Sequence, residues 1–68
     1  PQSDAMADLS AREKEIIYLV ARGVSRKEAA RLCGISPNTV AEYAQSAYRK
    51  LGVRNRVEAA SLIAASAS

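Results

Sequence analysis

Four helix-start signals crowd into 68 residues, and glycines close the first three of the segments they open. Ser10-Ala11-Arg12-Glu13 and Ser25-Arg26-Lys27-Glu28 both have the form of a capping box. In that device the Ser hydroxyl accepts from the backbone N–H three residues on, and the Glu carboxylate reaches back to the Ser N–H. Ser36-Pro37 opens a third segment, because Ser caps well and Pro at the first helical position loses no needed N–H. Asn55, with Glu58 three residues later, opens a fourth. Gly23, Gly34 and Gly52 stand where helices stop. Helix formers dominate and alternating apolar–polar runs are absent, so the chain is expected to be all-α, a domain of four helices.

Periodicity assigns the faces. In the first helix Ile16, Ile17, Val20 and Ala21 form an inward stripe flanked by Leu19, while Arg12, Glu15 and Arg22 face water. In the second, Ala29, Ala30, Leu32 and Cys33 supply the apolar contacts. The third spans Pro37 to about Leu51 and buries Val40, Ala44, Ala47 and Leu51; its other face carries Asn38, Ala41, Glu42, Gln45 and Arg49. Val53 tucks back onto the core. In the fourth, Val57, Ala60, Ser61, Leu62 and Ala64 give an apolar face of mostly small side chains. Residues 1–8 read as a linker or tag remnant, 9–65 as the domain and 66–68 as a frayed tail.

The chain is 49% hydrophobic but only 4% aromatic, so its one small core must be aliphatic and Ala-rich. Net charge is +3, and residues 9–68 hold ten basic against five acidic side chains, a balance suited to a polyanionic partner. The single Cys33 excludes an intrachain disulfide and fits a reducing, cytoplasmic setting. With one Cys and no His, no metal site or cofactor is expected. No run has transmembrane length, so no membrane partner is expected. The absence of a nucleophile–base pair or nucleotide loop argues against an enzyme.

The second and third helices, joined through Cys33-Gly34-Ile35, have the layout of a helix-turn-helix. Ser36 and Thr39 place hydroxyls at a helix start, where N–H groups and the helix dipole favour phosphate. Plain capping is the structural role of the same two residues.

At this point the chain resembles a known family. Leu9-Ser10-x-Arg12-Glu13, Ala21-Arg22-Gly23-Val24-Ser25-x-Lys27-Glu28-x-Ala30, Ile35-Ser36-x-x-Thr39-Val40, Lys50-Leu51-Gly52-Val53 and Arg56-x-Glu58-Ala59 look like the DNA-binding domain of LuxR/GerE-type bacterial transcription regulators. The resemblance covers residues 9 to about 64. It implies a third helix that enters the major groove of double-stranded DNA, a fourth that often makes a dimer contact, and an upstream regulatory domain outside this chain. RNA polymerase is a further partner of the kind such a domain meets. The family usually has Lys directly after the Thr-Val pair and His two positions later, where this chain has Ala41 and Tyr43. The position of Gln45 is often basic, and Arg26 replaces a common Asn.

On that resemblance, Ser25, Arg26, Lys27, Ser36, Thr39, Arg49, Lys50 and Arg54 are the candidate DNA-backbone contacts. Asn38, Ala41, Glu42 and Gln45 are the candidate base readers: Gln45 suits adenine N6/N7, Glu42 cytosine N4 and Ala41 a thymine methyl. Glu42 can instead pair with a nearby Arg. Arg56 is assigned a structural ion pair with an acidic residue of the first helix. Val57, Ala60, Ser61 and Ala64 are the candidate dimer contact, too small for more than a weak homodimer. The rival reading is a helix-turn-helix that binds protein rather than DNA, motivated by Ala41 and Glu42 on the reading face.

Overall fold

The computed structural model describes the backbone over residues 5–67 and the side chains over residues 7–65. It contains α1 (Ala11–Ala21), α2 (Arg26–Cys33), α3 (Pro37–Leu51) and α4 (Arg56–Ala67), preceded by one 3-10 turn at Ala5–Asp8. No strand occurs among the described residues. The turn at Ala5–Asp8 lies within the segment expected to be a linker, and it packs against α3. The rest of that segment, residues 1–4, lies outside the described residues. At the other end α4 runs two residues past the expected limit at 65, consistent with the high helix propensity of its Ala-rich end; Ser68 lies outside the described residues.

Each start signal caps a helix, but only one is a full box. Ser10 Oγ accepts from Glu13 N–H at 3.1 Å and Glu13 Oε1 accepts from Ser10 N–H at 2.8 Å. Ser25 Oγ accepts from Glu28 N–H at 3.1 Å, yet the Glu28 carboxylate turns to Arg31 instead of closing the box. Asn55 Oδ1 accepts from Glu58 N–H, and Glu58 reaches past the cap to the N–H of Arg54 at 2.8 Å.

The first three helices end in one pattern. Val24 N–H bonds Leu19 C=O, Ile35 N–H bonds Ala30 C=O and Val53 N–H bonds Tyr48 C=O, each at 3.0 Å. This is the long-range bond of a Schellman closure, and the aliphatic residue that makes it packs onto the core each time. Gly34, at the corner between α2 and α3, has φ +70°. A Cβ there would meet no neighbour within 4 Å, so the cost of a side chain is conformational alone. Gly34→Ala is therefore expected to lower stability by about 1 kcal/mol, read by urea unfolding. A neutral result would mean that the turn relaxes out of the left-handed region.

Helix α1 packs on α2, α3 and α4 and divides the core in two. Ile17 joins Leu9, Ala47 and Ala59 on the α3–α4 side. Ile16 joins Ala29, Ala30 and Val40 on the α2–α3 side. The expected buried face of α3 is present: Val40 and Ala47 are buried, and Ala44 and Leu51 pack against the two clusters.

Two faces differ from the periodicity reading. Leu32 is 62% exposed, because it lies on the side of α2 away from Ala30. In α4 the inward residues are Ala59 and Ile63, with Val57, Ser61 and Ala64 facing out. That helix is apolar nearly all round, so no stripe in its sequence marks the buried side.

Candidate nucleic-acid interface

Three residues, Gly34 to Ser36, separate α2 from α3, and both helices begin on a capped, exposed first turn. At the start of α3 Ser36 Oγ accepts from Thr39 N–H at 3.2 Å and shares a hydrogen bond of 2.9 Å with Thr39 Oγ1. Only one of those two hydroxyls can donate to the other. The second keeps its proton for an outside acceptor, so capping and anion contact are compatible here.

Asn38, Ala41, Glu42, Gln45 and Arg49 line a single open trough along the outer face of α3. The five residues proposed from periodicity as one face are thus brought together, and Arg49 lies beside Gln45 rather than apart from it. Glu42 and Gln45 are exposed, and no described Arg or Lys lies within ion-pair distance of Glu42. The pairing of Glu42 with a nearby Arg is therefore not found. Lys27 and Arg26 are exposed on the first turn of α2, and Arg54 is exposed just before α4, all three outside the ion pairs of the described residues.

Lys50 stands differently. Its Nζ lies 2.9 Å from Oε1 of Glu13, a carboxylate buried between α1 and α3. Ser46 donates its hydroxyl to the other carboxylate oxygen. The Lys50 ammonium, a candidate phosphate contact, also pairs with a buried carboxylate, while its own side chain stays 42% exposed. The ion pair to α1 that was assigned to Arg56 belongs to Lys50 instead. Arg56 projects toward Gly23 and shares a hollow with Tyr48, away from every described carboxylate within ion-pair distance. Sequence reasoning missed Glu13 and Ser46 as the anchor of α3. The Ser10–Glu13 box was visible, but a reach of 37 residues to Lys50 carries no local signal.

The Ser46 hydroxyl, the Ser10 N–H and Lys50 hold the Glu13 carboxyl well below its ordinary range, at about 2. Arg12 adds a further tie, donating to the carbonyl of Cys33 at 3.3 Å and so linking α1 to the C-terminal end of α2, where a cation suits the helix dipole. Helices α1, α2 and α3 are therefore locked together by polar contacts as well as by the two apolar clusters.

Of the proposed dimer residues, Val57, Ser61 and Ala64 are exposed and Ala60 is half-buried. Val57 is 65% exposed. Tyr43 and Tyr48 pack at the edges of the two clusters, and Cys33 packs half-buried against the second. Among the described residues no group of His, Cys, Asp or Glu could hold a metal ion, and no helix is long and apolar enough to cross a membrane.

The family model described as bacterial regulatory proteins, luxR family, matches residues 7–63. The chain is 42% identical over 65 residues to YhjB of Escherichia coli strain K12, named as an HTH-type transcriptional regulator, covering 93% of this chain and 32% of that protein. It is 45% identical over 51 residues to the transcriptional regulatory protein DesR of Bacillus subtilis strain 168, covering 75% of this chain and 26% of DesR. It is 36% identical over 58 residues to the nitrate/nitrite response regulator protein NarP of E. coli K12, covering 85% of this chain and 27% of NarP. The chain thus spans about a third or less of these relatives. No solved structure gives a significant match. Four capped helices, a three-residue turn before an outward-facing α3 and a match over most of the chain agree: it belongs to the luxR family of bacterial regulatory proteins and is a helix-turn-helix DNA-binding domain of that family.

Proposed function

We propose that the domain is the sequence-specific output module of a cytoplasmic transcriptional regulator, with α3 lying in the major groove. The observation that carries this reading is the open trough of Asn38, Ala41, Glu42, Gln45 and Arg49 on a helix fixed from behind by Val40, Ala47 and the Glu13–Ser46–Lys50 contacts. Rigid support of the reading helix is what converts side-chain identity into base choice. Ser25, Arg26, Lys27, Ser36, Thr39 and Arg54 are the backbone contacts, and Arg49 reaches either a base edge or a phosphate from the far end of the trough. Two copies bind adjacent half-sites, meeting through the outward side of α4 at Val57, Ala60, Ser61 and Ala64. That patch is small, so the isolated domain dimerises weakly and DNA or an upstream regulatory domain supplies the remaining affinity. RNA polymerase is a further partner of the assembled regulator.

Selection of bound duplexes from a randomised library at two salt concentrations tests the reading. An enriched motif, above all an inverted repeat, is expected. Thr39→Ala and Lys27→Ala are expected to weaken binding to all duplexes alike. Gln45→Ala is expected to erase discrimination of about 1–3 kcal/mol at one base pair. Equal losses on selected and random DNA would remove Gln45 from the readers. No enrichment, with weak salt-sensitive binding only, would favour a protein-interaction module, the reading to which the unpaired Glu42 on this face points.

A further inference from the structure

The two sides of α3 carry opposite charge, and this asymmetry deepens the DNA-binding reading, on which it rests. On one side a hollow is floored by Val20, Val24, Val40 and Ala44, and its polar rim holds Gln45, Arg26 and Arg56. Both guanidiniums are exposed, and neither belongs to an ion pair of the described residues. On the other side Glu13, Thr39, Glu42, Tyr43 and Ser46 line a second hollow. Glu13 is matched there by Lys50, which leaves the charge of Glu42 unmatched. Along the trough the one cation is Arg49, seven residues past Glu42 at its far end.

A helix in the major groove has one sugar–phosphate strand on either side. The geometry points to a one-sided grip: Arg26 from the start of α2 and Arg56 from the start of α4 clamp the phosphates of one strand across the hollow beside Ala41 and Gln45. The small side chain of Ala41 leaves that hollow open for the strand to approach. Arg56 thereby acquires a DNA contact in place of the structural pairing assigned to it from sequence. On the Glu42 flank the cations are Arg49, at the far end of the trough, and Lys50, which is paired with Glu13, so the opposite strand is held less strongly and α3 is pulled toward the arginine side. Guanidinium suits this task because its planar fork can donate two hydrogen bonds to one phosphate.

The test is fluorescence polarisation of a labelled mixed-sequence duplex of about two helical turns, titrated across a salt series with the 68-residue chain. Circular dichroism confirms that each variant is folded. Arg26→Ala and Arg56→Ala are each expected to reduce the steepness of log K against log salt by about 0.9, and the double variant by about 1.8. Arg56→Lys is expected to restore the slope, which a purely packing role for Arg56 would not require. Glu42→Gln is expected to tighten binding. Lys14→Ala, at a position that lines neither hollow, serves as the control and should leave the slope unchanged. A folded Arg56→Ala variant with the original slope and affinity would overturn the clamp while leaving the DNA reading intact. A wild-type chain that binds no duplex would overturn both.

Discussion

Ile17→Ala is expected to lose about 4 kcal/mol of folding stability and to leave a large part of the population unfolded at room temperature. The figure sits toward the upper end of the range for such truncations because of what surrounds the side chain. Ile17 is fully buried, and its buried neighbours are Leu9, Ala47 and Ala59. Two of those three are alanines, which have no rotamer with which to fill a void. The helices already approach closely across them, so the cavity cannot collapse cheaply. A chain of 68 residues has roughly 3–10 kcal/mol of stability in total, so one such cavity removes a large fraction of it. Urea unfolding followed by helical circular dichroism measures the effect. A loss below about 1.5 kcal/mol would show that α4 shifts inward to close the gap. The same experiment on Ile16 probes the other half of the core. Its buried neighbours, Ala29, Ala30 and Val40, again include two alanines, so a comparable loss is expected.

Part of this fold is legible from the residues alone. Helix boundaries are, because caps and stops are local: Ser10, Ser25, Ser36 and Asn55 all cap, and α3 begins and ends at Pro37 and Leu51. The inward stripe of α1 and the outward stripe of α3 were legible too, since each alternates polar with apolar residues at helical spacing. In α4 Val57, Ala59, Ala60, Leu62, Ile63 and Ala64 leave no polar side by which to orient the helix, so Ala59 and Ile63 were missed as its anchors. Leu32 counts among the apolar residues of α2, but its angular position opposes that of Ala30 and leaves it exposed. Charge partners were the least legible. Lys50, Arg54 and Arg56 lie within seven residues of one another, and only the register of α3 against α1 decides which of them meets Glu13. In the candidate site, the outward face of α3 follows from periodicity, whereas the two hollows beside it depend on how α1, α2 and α4 are arranged around α3.

Glu13→Ala is expected to be the most damaging substitution of any charged residue in the chain, with a fall in thermal midpoint several-fold larger than that of Glu15→Ala. Glu15 is an exposed partner in a single pair with Arg12 on its own helix, a type of contact that contributes little. Glu13 is buried and accepts from Ser10 N–H, the Ser46 hydroxyl and Lys50 at once, so its loss opens the return half of the α1 capping box and releases α3 together. Its titration gives a second readout. The Ser46 bond, then the Ser10 N–H and Lys50, lower its pKa from 4.5 to about 2. A carboxyl with a depressed folded-state pKa binds its proton more readily in the unfolded chain, so its contribution is complete above about pH 4.5. That contribution is lost as pH falls through the interval down to about 2. Wild-type stability should therefore drop steeply across this window, and Glu13→Gln, which keeps the shape without the charge, should flatten the acid limb while lowering the plateau above it. Ser46→Ala removes the contact that lowers this pKa most, so the limb should still begin near pH 4.5 but end at a higher pH and have a smaller amplitude. An acid limb that is the same in wild type and Glu13→Gln would assign the pH dependence to the other carboxylates and leave Glu13 as a cap alone. Because the same carboxylate fixes the back of α3, Ser46→Ala should also blunt sequence discrimination in DNA binding without touching any base-reading side chain. That link between a buried acid and base choice is open to measurement at neutral pH, where the variant remains folded.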